Sequence, residues 1–372
     1  MKVTAPRAGN LWVALRAALD QLGVEYVEPP RPTQRTLNLG ARYSPEWMCV
    51  PFKIVLGNFI EAIELGADTV VMAEGINLCR LGYFAKLHEQ ILHDIGYPHV
   101  KMLRFSWQEK IIGLVKFLRG VLGEDLSWRE IVGYIKYGLQ QIIVMEDLEK
   151  RAHRLRPRAV NPEAVSRLWQ QAGPRVSAAH TAPRLKAVAK AIHAELDRVE
   201  LKPGFEPLRV AFLGEFMMVL EPSYNMDLEE ELGKRGVEVV RHSWIAEWAK
   251  IWLFLELIGL GHGDDFKKAA RPYLRRDVSG EAMQTLGETV LHAQEGFDGI
   301  IHIQPFTCMP EIMAQNIMPR VVSDHPIPVL PLLVDEQTGR AGLITRLEAF
   351  VDLMERRRVL KRRGTGSQRG VV

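Results

Sequence analysis

Asp68–Ile95, DTVVMAEGINLCRLGYFAKLHEQILHDI, decides how this chain folds. Thr69–Ala73 is a short apolar run, rich in β-branched residues, with the length of a buried strand. A polar turn carrying Cys79 follows, then a helical pattern over Cys79–Ile95 closed by Gly96, where a C-terminal glycine belongs. Phe297–Val321, FDGIIHIQPFTCMPEIMAQNIMPRV, has the same order of strand, turn, Cys308 and helix. The remaining cysteine, Cys49, opens the apolar helix in EWMCVPFKIVLGNFIEAIELG, residues 46–66. All three cysteines therefore stand where a helix begins.

Outward from that stretch, strands and helices alternate. Lys2–Pro6, Glu25–Glu28, Thr69–Ala73 and His99–Arg104 read as strands, with helices at Asn10–Leu22, Val50–Leu65 and Cys79–Ile95 between them. Such alternation predicts an α/β fold with a parallel sheet over residues 1–105, carrying Cys49 and Cys79. Residues 106–204 carry helical periodicity, many charges and few strand signals, which predicts a helical insertion ending at Pro203-Gly204. The α/β order resumes over 205–358, with strands at Leu208–Leu213, Val237–Arg241, Gly299–Ile303 and Pro328–Val334 and with Cys308. Residues 359–372 read as a basic, disordered tail.

Composition narrows the function classes. At 372 residues, 47% hydrophobic and 25% charged, the chain is an ordinary globular protein of two or three domains. Its net charge of +3 is local: residues 355–372 hold seven of the 48 basic residues and one of the 45 acids. The body is mildly acidic, which argues against nucleic acid as a partner, since phosphate contacts need a basic face. The apolar run Trp248–Leu260 is interrupted by Lys250 and Glu256 and is too short to span a bilayer. The first ten residues lack the order of a signal peptide, and three scattered cysteines make no disulfide framework. Both features predict a reducing cytoplasm.

The cysteines carry the chemistry. Ligands of open α/β sheets bind beyond the carboxyl ends of the strands, where the turns of Cys79 and Cys308 lie. Cys49 and Cys308 share a Cys-x-Pro helix opening, with proline where its missing N–H costs nothing. A helix N-terminus favours the thiolate, the form that binds metal. Against this stands the plainer reading of three buried cysteines acting as small hydrophobes. Their separations match neither zinc-finger nor ferredoxin spacing. Only the fold could bring them together, on an iron–sulfur cluster or on zinc.

The chain resembles the 2-hydroxyacyl-CoA dehydratase component D superfamily, in particular its branch of acyl-CoA dehydratase activase-related and double-cubane cluster proteins. YSPEWMCVPFKIVLGNFIEAIELGADTVVMA, GINLCRLGYFAKLHEQIL, GEFMMVLEPSYNMDLEEELGKRGVEVVR and IIHIQPFTCMPEIMAQNIMPRV carry the resemblance, with HPIPVLPLLVDEQTGRAGLITRLEAFVD after them. The resemblance implies two Rossmann-like parallel-sheet lobes, with a cluster in the cleft between them. Cys49, Cys79 and Cys308 match cluster ligands. Three thiolates depart from the double-cubane pattern and suit one [4Fe-4S] cube with an open iron. The family's chemistry is anaerobic low-potential electron transfer or reductive radical chemistry. Its implied partner is a separate ATP-dependent activator iron–sulfur protein, alongside a homodimer mate or related partner subunit. A non-catalytic, cluster-bearing subunit or electron carrier is the alternative.

Polar neighbours of the cysteines complete the candidates. Glu74 is a candidate acid or base near an open iron, while Asn77, Arg80 and Thr307 are candidate donors to cluster sulfur. Each is equally a turn or cap residue facing water. Glu215 and the turn with Tyr224 and Asn225 form either a wall of the cleft or a capped helix start. GLGHGDD, residues 259–265, follows a helix rather than a strand and is rejected as a nucleotide loop. His302 and His325 read as structural histidines.

Overall fold

A computed structural model of the chain describes residues 1–75, 79–106, 110–122, 127–250 and 265–367. Two four-stranded parallel sheets organise it. The first contains β1 (Lys2–Thr4), β2 (Glu25–Tyr26), β3 (Thr69–Glu74) and β4 (Lys101–Ser106), in the order β2-β1-β3-β4. The second contains β5 (Leu208–Gly214), β6 (Val237–Val240), β7 (Gly299–Pro305) and β8 (Val329–Val334), in the order β6-β5-β7-β8. The two halves share one Rossmann-like topology. In each, strand order reverses direction at the central pair, β1/β3 or β5/β7. A crevice opens there beyond the carboxyl ends. β7 is buried at every position, as a parallel strand covered on both faces must be.

Helices α1 (Leu11–Gln21), α2 (Gln34–Tyr43), α3 (Val50–Glu64) and α4 (Phe84–Asp94) belong to the first half. Between the sheets in sequence come α5 (Lys110–Leu122), α6 (Trp128–Leu155), α7 (Pro162–Ser177) and α8 (Ala182–Asp197). Ser127 and Glu130 form a capping box at the start of α6, and Asn161 caps α7. These helices do not stand apart. Val13 of α1 packs with Met145, Leu148, Val165, Val176 and Ile192 in one apolar cluster.

The second half adds α9 (Phe216–Leu220), α10 (Leu228–Lys234), α11 (Ile245–Lys250), α12 (Asp265–Ala270), α13 (Ala282–Gln294), α14 (Met309–Asp324) and α15 (Arg340–Ser367). The main core is continuous across both sheets. Phe52, Phe59 and Val70 of the first half share it with Val210, Phe212, Ile303 and Phe350 of the second. The helix α3 is its spine, buried at every residue from Val50 through Ile63. Among the described residues no helix is long and apolar enough to cross a membrane.

α2 lies directly on α3. A Cβ added to Gly57 would stand 2.0 Å from the Thr36 carbonyl oxygen, so only glycine lets the two backbones meet. Gly57→Val is expected to destabilise the protein by about 3 kcal/mol or more through overpacking, read by urea unfolding. Gly133→Ala is the control. Gly133 is an exposed position of α6 with nothing near its added Cβ, so the change should be neutral or stabilising.

The basic tail is expected from residue 359, and the last helix runs into it. α15 continues through Ser367, because Arg, Lys and Leu propagate a helix already anchored by Leu343, Leu347 and Phe350. Arg358 pairs with Asp298, and Arg362 with Glu206. Residues 368–372 lie outside the described residues.

Candidate metal centre

Each cysteine is placed by a strand end or a helix start. Cys49 is the N-cap of α3, and Cys308, following β7, is the N-cap of α14. Cys79 follows β3 and caps a short 3-10 turn, Arg80–Tyr83, that leads into α4. Hydrogen bonds link Cys79 and Arg80 to the loop before α13 and to the segment after β7. The Cys79 backbone N–H donates to Ser279 Oγ at 3.3 Å, across the two halves. Arg80 ties all three cysteine turns together. Its guanidinium donates to the carbonyl of Trp47, two residues before Cys49, and to that of Thr307, next to Cys308.

The three thiols feel one another. The charge of Cys79 acts on Cys49, and that of Cys49 on Cys308. Burial pushes Cys49 up to about 12 and raises Cys79 and Cys308 as well; Glu215 raises all three further. Helix starts alone would lower these values, and the N–H groups of Phe52, Leu81 and Glu311 do pull that way. Desolvation wins, so without metal the thiols stay protonated. A cationic metal core would displace those protons, since a coordinating thiol is deprotonated outright.

Among the described residues, two sets of three possible ligands have all donor atoms within 4.8 Å of one another, and the cysteines are neither of them. Tetrahedral zinc, with bonds of about 2.3 Å, needs sulfurs roughly 4 Å apart.

The lining of the site is polar and strained. Thr307 and Ser279 adopt left-handed backbone, with φ of 64° and 65°, which a β-branched threonine rarely does. Thr307 Oγ1 is buried without a partner among the described residues, so its hydroxyl can donate to a group seated among the cysteines. Gly280, with φ of 64°, brings this loop so close to α14 that an added Cβ would meet Pro310 at 2.7 Å.

Three acids approach from different elements. Glu215, directly after β5, caps α9 by accepting from the Met218 N–H at 2.9 Å. Burial, with Glu311 adding to it, pushes Glu215 up to about 7. Burial, with Glu311, Glu215 and Asp277, pushes Glu281 up to about 8. Glu311 is fully buried on α14 and accepts from His302 at 2.7 Å and Thr285 at 3.1 Å. His302 is thus structural, as expected.

The other candidates fall as follows. Glu74 ends β3 and pairs with Arg104 at 3.7 Å. Asn77 and residues 259–264 lie outside the described residues. Asn225 caps α10 by accepting from the Leu228 N–H at 3.1 Å. Beside the centre is an apolar cavity of about 330 Å³, lined by Ala73, Leu81, Phe105, Phe216, Met217 and Leu220 among others. Leu81 stands two residues from Cys79, and Phe216 adjoins Glu215.

The sequence model of the family described as 2-hydroxyglutaryl-CoA dehydratase, D-component, matches residues 23–354. The chain belongs to this family. No curated protein matches it significantly. As a D-component family member, the chain is a 2-hydroxyacyl-CoA dehydratase-type component, and the word component itself points to partner proteins. The matched span contains Cys49, Cys79, Cys308, Glu215 and Glu281.

The buried acids of this D-component give a pH signature. Glu215 and Glu281 hold protons in the folded state that they release on unfolding, near 4.5. That stabilisation is complete below about pH 4.5 and is lost as pH rises through 7 to 8. His88 and His292, pushed down to about 3 chiefly by burial, act oppositely, and their effect is complete above about pH 6.5. Metal-free protein should therefore lose Tm between pH 6.5 and 8, and Glu281→Gln should flatten the decline above pH 7. A Tm that is level or rising over that range contradicts these assignments.

Proposed function

We propose that Cys49, Cys79 and Cys308 hold a [4Fe-4S] cluster and that the chain takes part in dehydrating a 2-hydroxyacyl thioester. The cluster would receive its electron from a separate ATP-hydrolysing activator. The observation that carries this reading is the meeting of three cysteine-capped turns around Glu215, tied by Arg80. The buried Thr307 hydroxyl, without a partner among the described residues, suits donation to a cluster sulfur. When bound, the cluster supplies a low-potential electron and a Lewis-acidic iron without a cysteine ligand.

The chain's own residues do the rest. Glu215, near 7, is present in both protonation states at neutral pH, as a group giving or taking a proton beside a departing hydroxyl must be. Glu281, near 8, stands behind it as a second proton store. Glu74 remains a weaker candidate because Arg104 engages it. The apolar cavity beside Leu81 and Phe216 suits an apolar acyl substituent and keeps water from it. Arg80 holds the three turns in register.

The alternative, a non-catalytic cluster-bearing subunit or electron carrier, draws on the rim of the site. Trp47, Tyr83, Phe306 and Met309 are large apolar side chains at least half exposed, each a few residues along the chain from a cysteine. Such a rim suits docking of a partner protein over the cluster.

Anaerobic iron and sulfide analysis with a visible spectrum tests the shared core of both readings. Brown protein with about four iron and four sulfide per chain is expected. Colourless, metal-free protein sinks both. A 2-hydroxyacyl-CoA that shifts the EPR spectrum of the reduced cluster selects the dehydratase reading, and no shift selects the carrier.

A further inference from the structure

We propose a second metal site in the C-terminal half, where His242, Glu288 and His292 bind one borderline divalent cation of the zinc class. Nothing in the dehydratase reading requires it, and it stands independently of the cysteine centre. Glu288 and His292 are four residues apart on α13 and share a face of that helix. His242 comes from the turn after β6 and lays its ring 4.6 Å from that of His292. The ligand atoms of all three residues lie within 4.8 Å of one another.

The separations are those of ligands rather than of hydrogen-bond partners. His242 Nδ1 is 3.7 Å from one Glu288 oxygen, and His292 Nε2 is 3.6 Å from the other. Hydrogen bonds are shorter. Donors around one tetrahedral ion, with bonds of about 2.05 Å, stand roughly 3.4 Å apart.

A second observation points to a cation. His292 is 2% exposed, and its Nε2 has no hydrogen-bond partner among the described residues. On the other side of the ring Nδ1 faces Glu295 at 3.3 Å. Donation from Nδ1–H to that carboxylate leaves the Nε2 lone pair aimed at Glu288. Carboxylate–histidine–metal chains orient their ligands in this way. Lys150 and Arg209 are the cations whose charge reaches the histidines; Glu247 and Glu295 reach His242 as acids, and Glu288 faces both rings. The half-exposed ring of His242 leaves an approach for the ion and for a water as fourth ligand.

Two histidines and one carboxylate suit zinc, and also cobalt, which has a visible spectrum. An ion here would clip the β6–α11 connection to α13, the helix that Glu281 precedes.

The test is cobalt(II) titration of the full-length protein, reading the parent-minus-His292→Ala difference spectrum. The expected result is one equivalent bound, with visible d–d bands and no thiolate charge-transfer band in the difference. His242→Ala and His292→Ala should each weaken binding by about 100-fold or more, while Cys79→Ser leaves this component unchanged. Glu295→Gln guards against a variant that simply misfolds. It removes no ligand and should weaken binding about 10- to 100-fold. Equal affinity in the parent and all three variants overturns the proposal. So does a spectrum that disappears only with Cys79.

Discussion

Anaerobically prepared protein carrying Cys79→Ser is expected to be pale and to hold little iron or sulfide, with its fold intact. Of the three thiols, Cys79 is the cleanest to test. Cys49 is buried in the apolar core and Cys308 is buried as well, so a serine hydroxyl at either could lack a partner and add a folding penalty of its own. Cys79 is half-buried, at the N-cap of a 3-10 turn where serine is at home. Any loss of metal there reports ligation. Iron and sulfide analysis, with circular dichroism on the same sample, separates the two effects. A Cys79→Ser protein that keeps full colour and about four iron per chain removes Cys79 from the ligand set. The proposed centre would then lose the residue that links its two halves.

Glu215→Gln is expected to lower the rate of thioester dehydration by about 10²- to 10⁴-fold, the range for a lost acid–base group, with iron content unchanged. The amide keeps an oxygen to accept from the Met218 N–H, so α9 stays capped. It loses the proton that burial holds near neutrality. The parent rate should therefore change with an ionisation near pH 7, and that feature should vanish in the variant. Glu74→Gln is the comparison. Its carboxylate is engaged with Arg104 and should be replaceable with a loss of only a few-fold. If the large loss follows Glu74 instead, the acid–base assignment belongs there and Glu215 is structural.

Local readings of the chain succeeded where local physics decides. Thr69–Ala73 and Gly299–Ile303 are short apolar runs read as strands, and both are; β7 is buried on both faces, while Val71 and Ala73 leave one face of β3 partly exposed. The Cys-x-Pro openings at Cys49 and Cys308 mark helix starts because proline is harmless there, and both cysteines are N-caps. Beyond residue 358 local signals say less: α15 runs on, and Arg362 there pairs with Glu206, far back in the chain.

Glu215, Glu281 and Glu311 were harder still. Glu215 drew notice only as a possible cleft wall. A signal was present in that it follows an apolar strand and precedes FMMVL, a buried helix. Glu281 and Glu311 look like ordinary helix-start acids in sequence. Their approach to the thiols depends on how the turns after β5 and β7 pack against the loop around Ser279.

The sequence by itself determined most of the order of strands and helices, though not α2, together with the parallel class of the sheets and the three cysteines at helix starts. Periodicity, capping residues and glycine stops act within a few residues, so they can be read locally. Only the tertiary structure decided that both halves share one core, that burial rather than helix dipoles governs the thiols, and which acids surround them. Desolvation depends on which distant segments exclude water from a side chain, and neighbours in sequence carry no record of that.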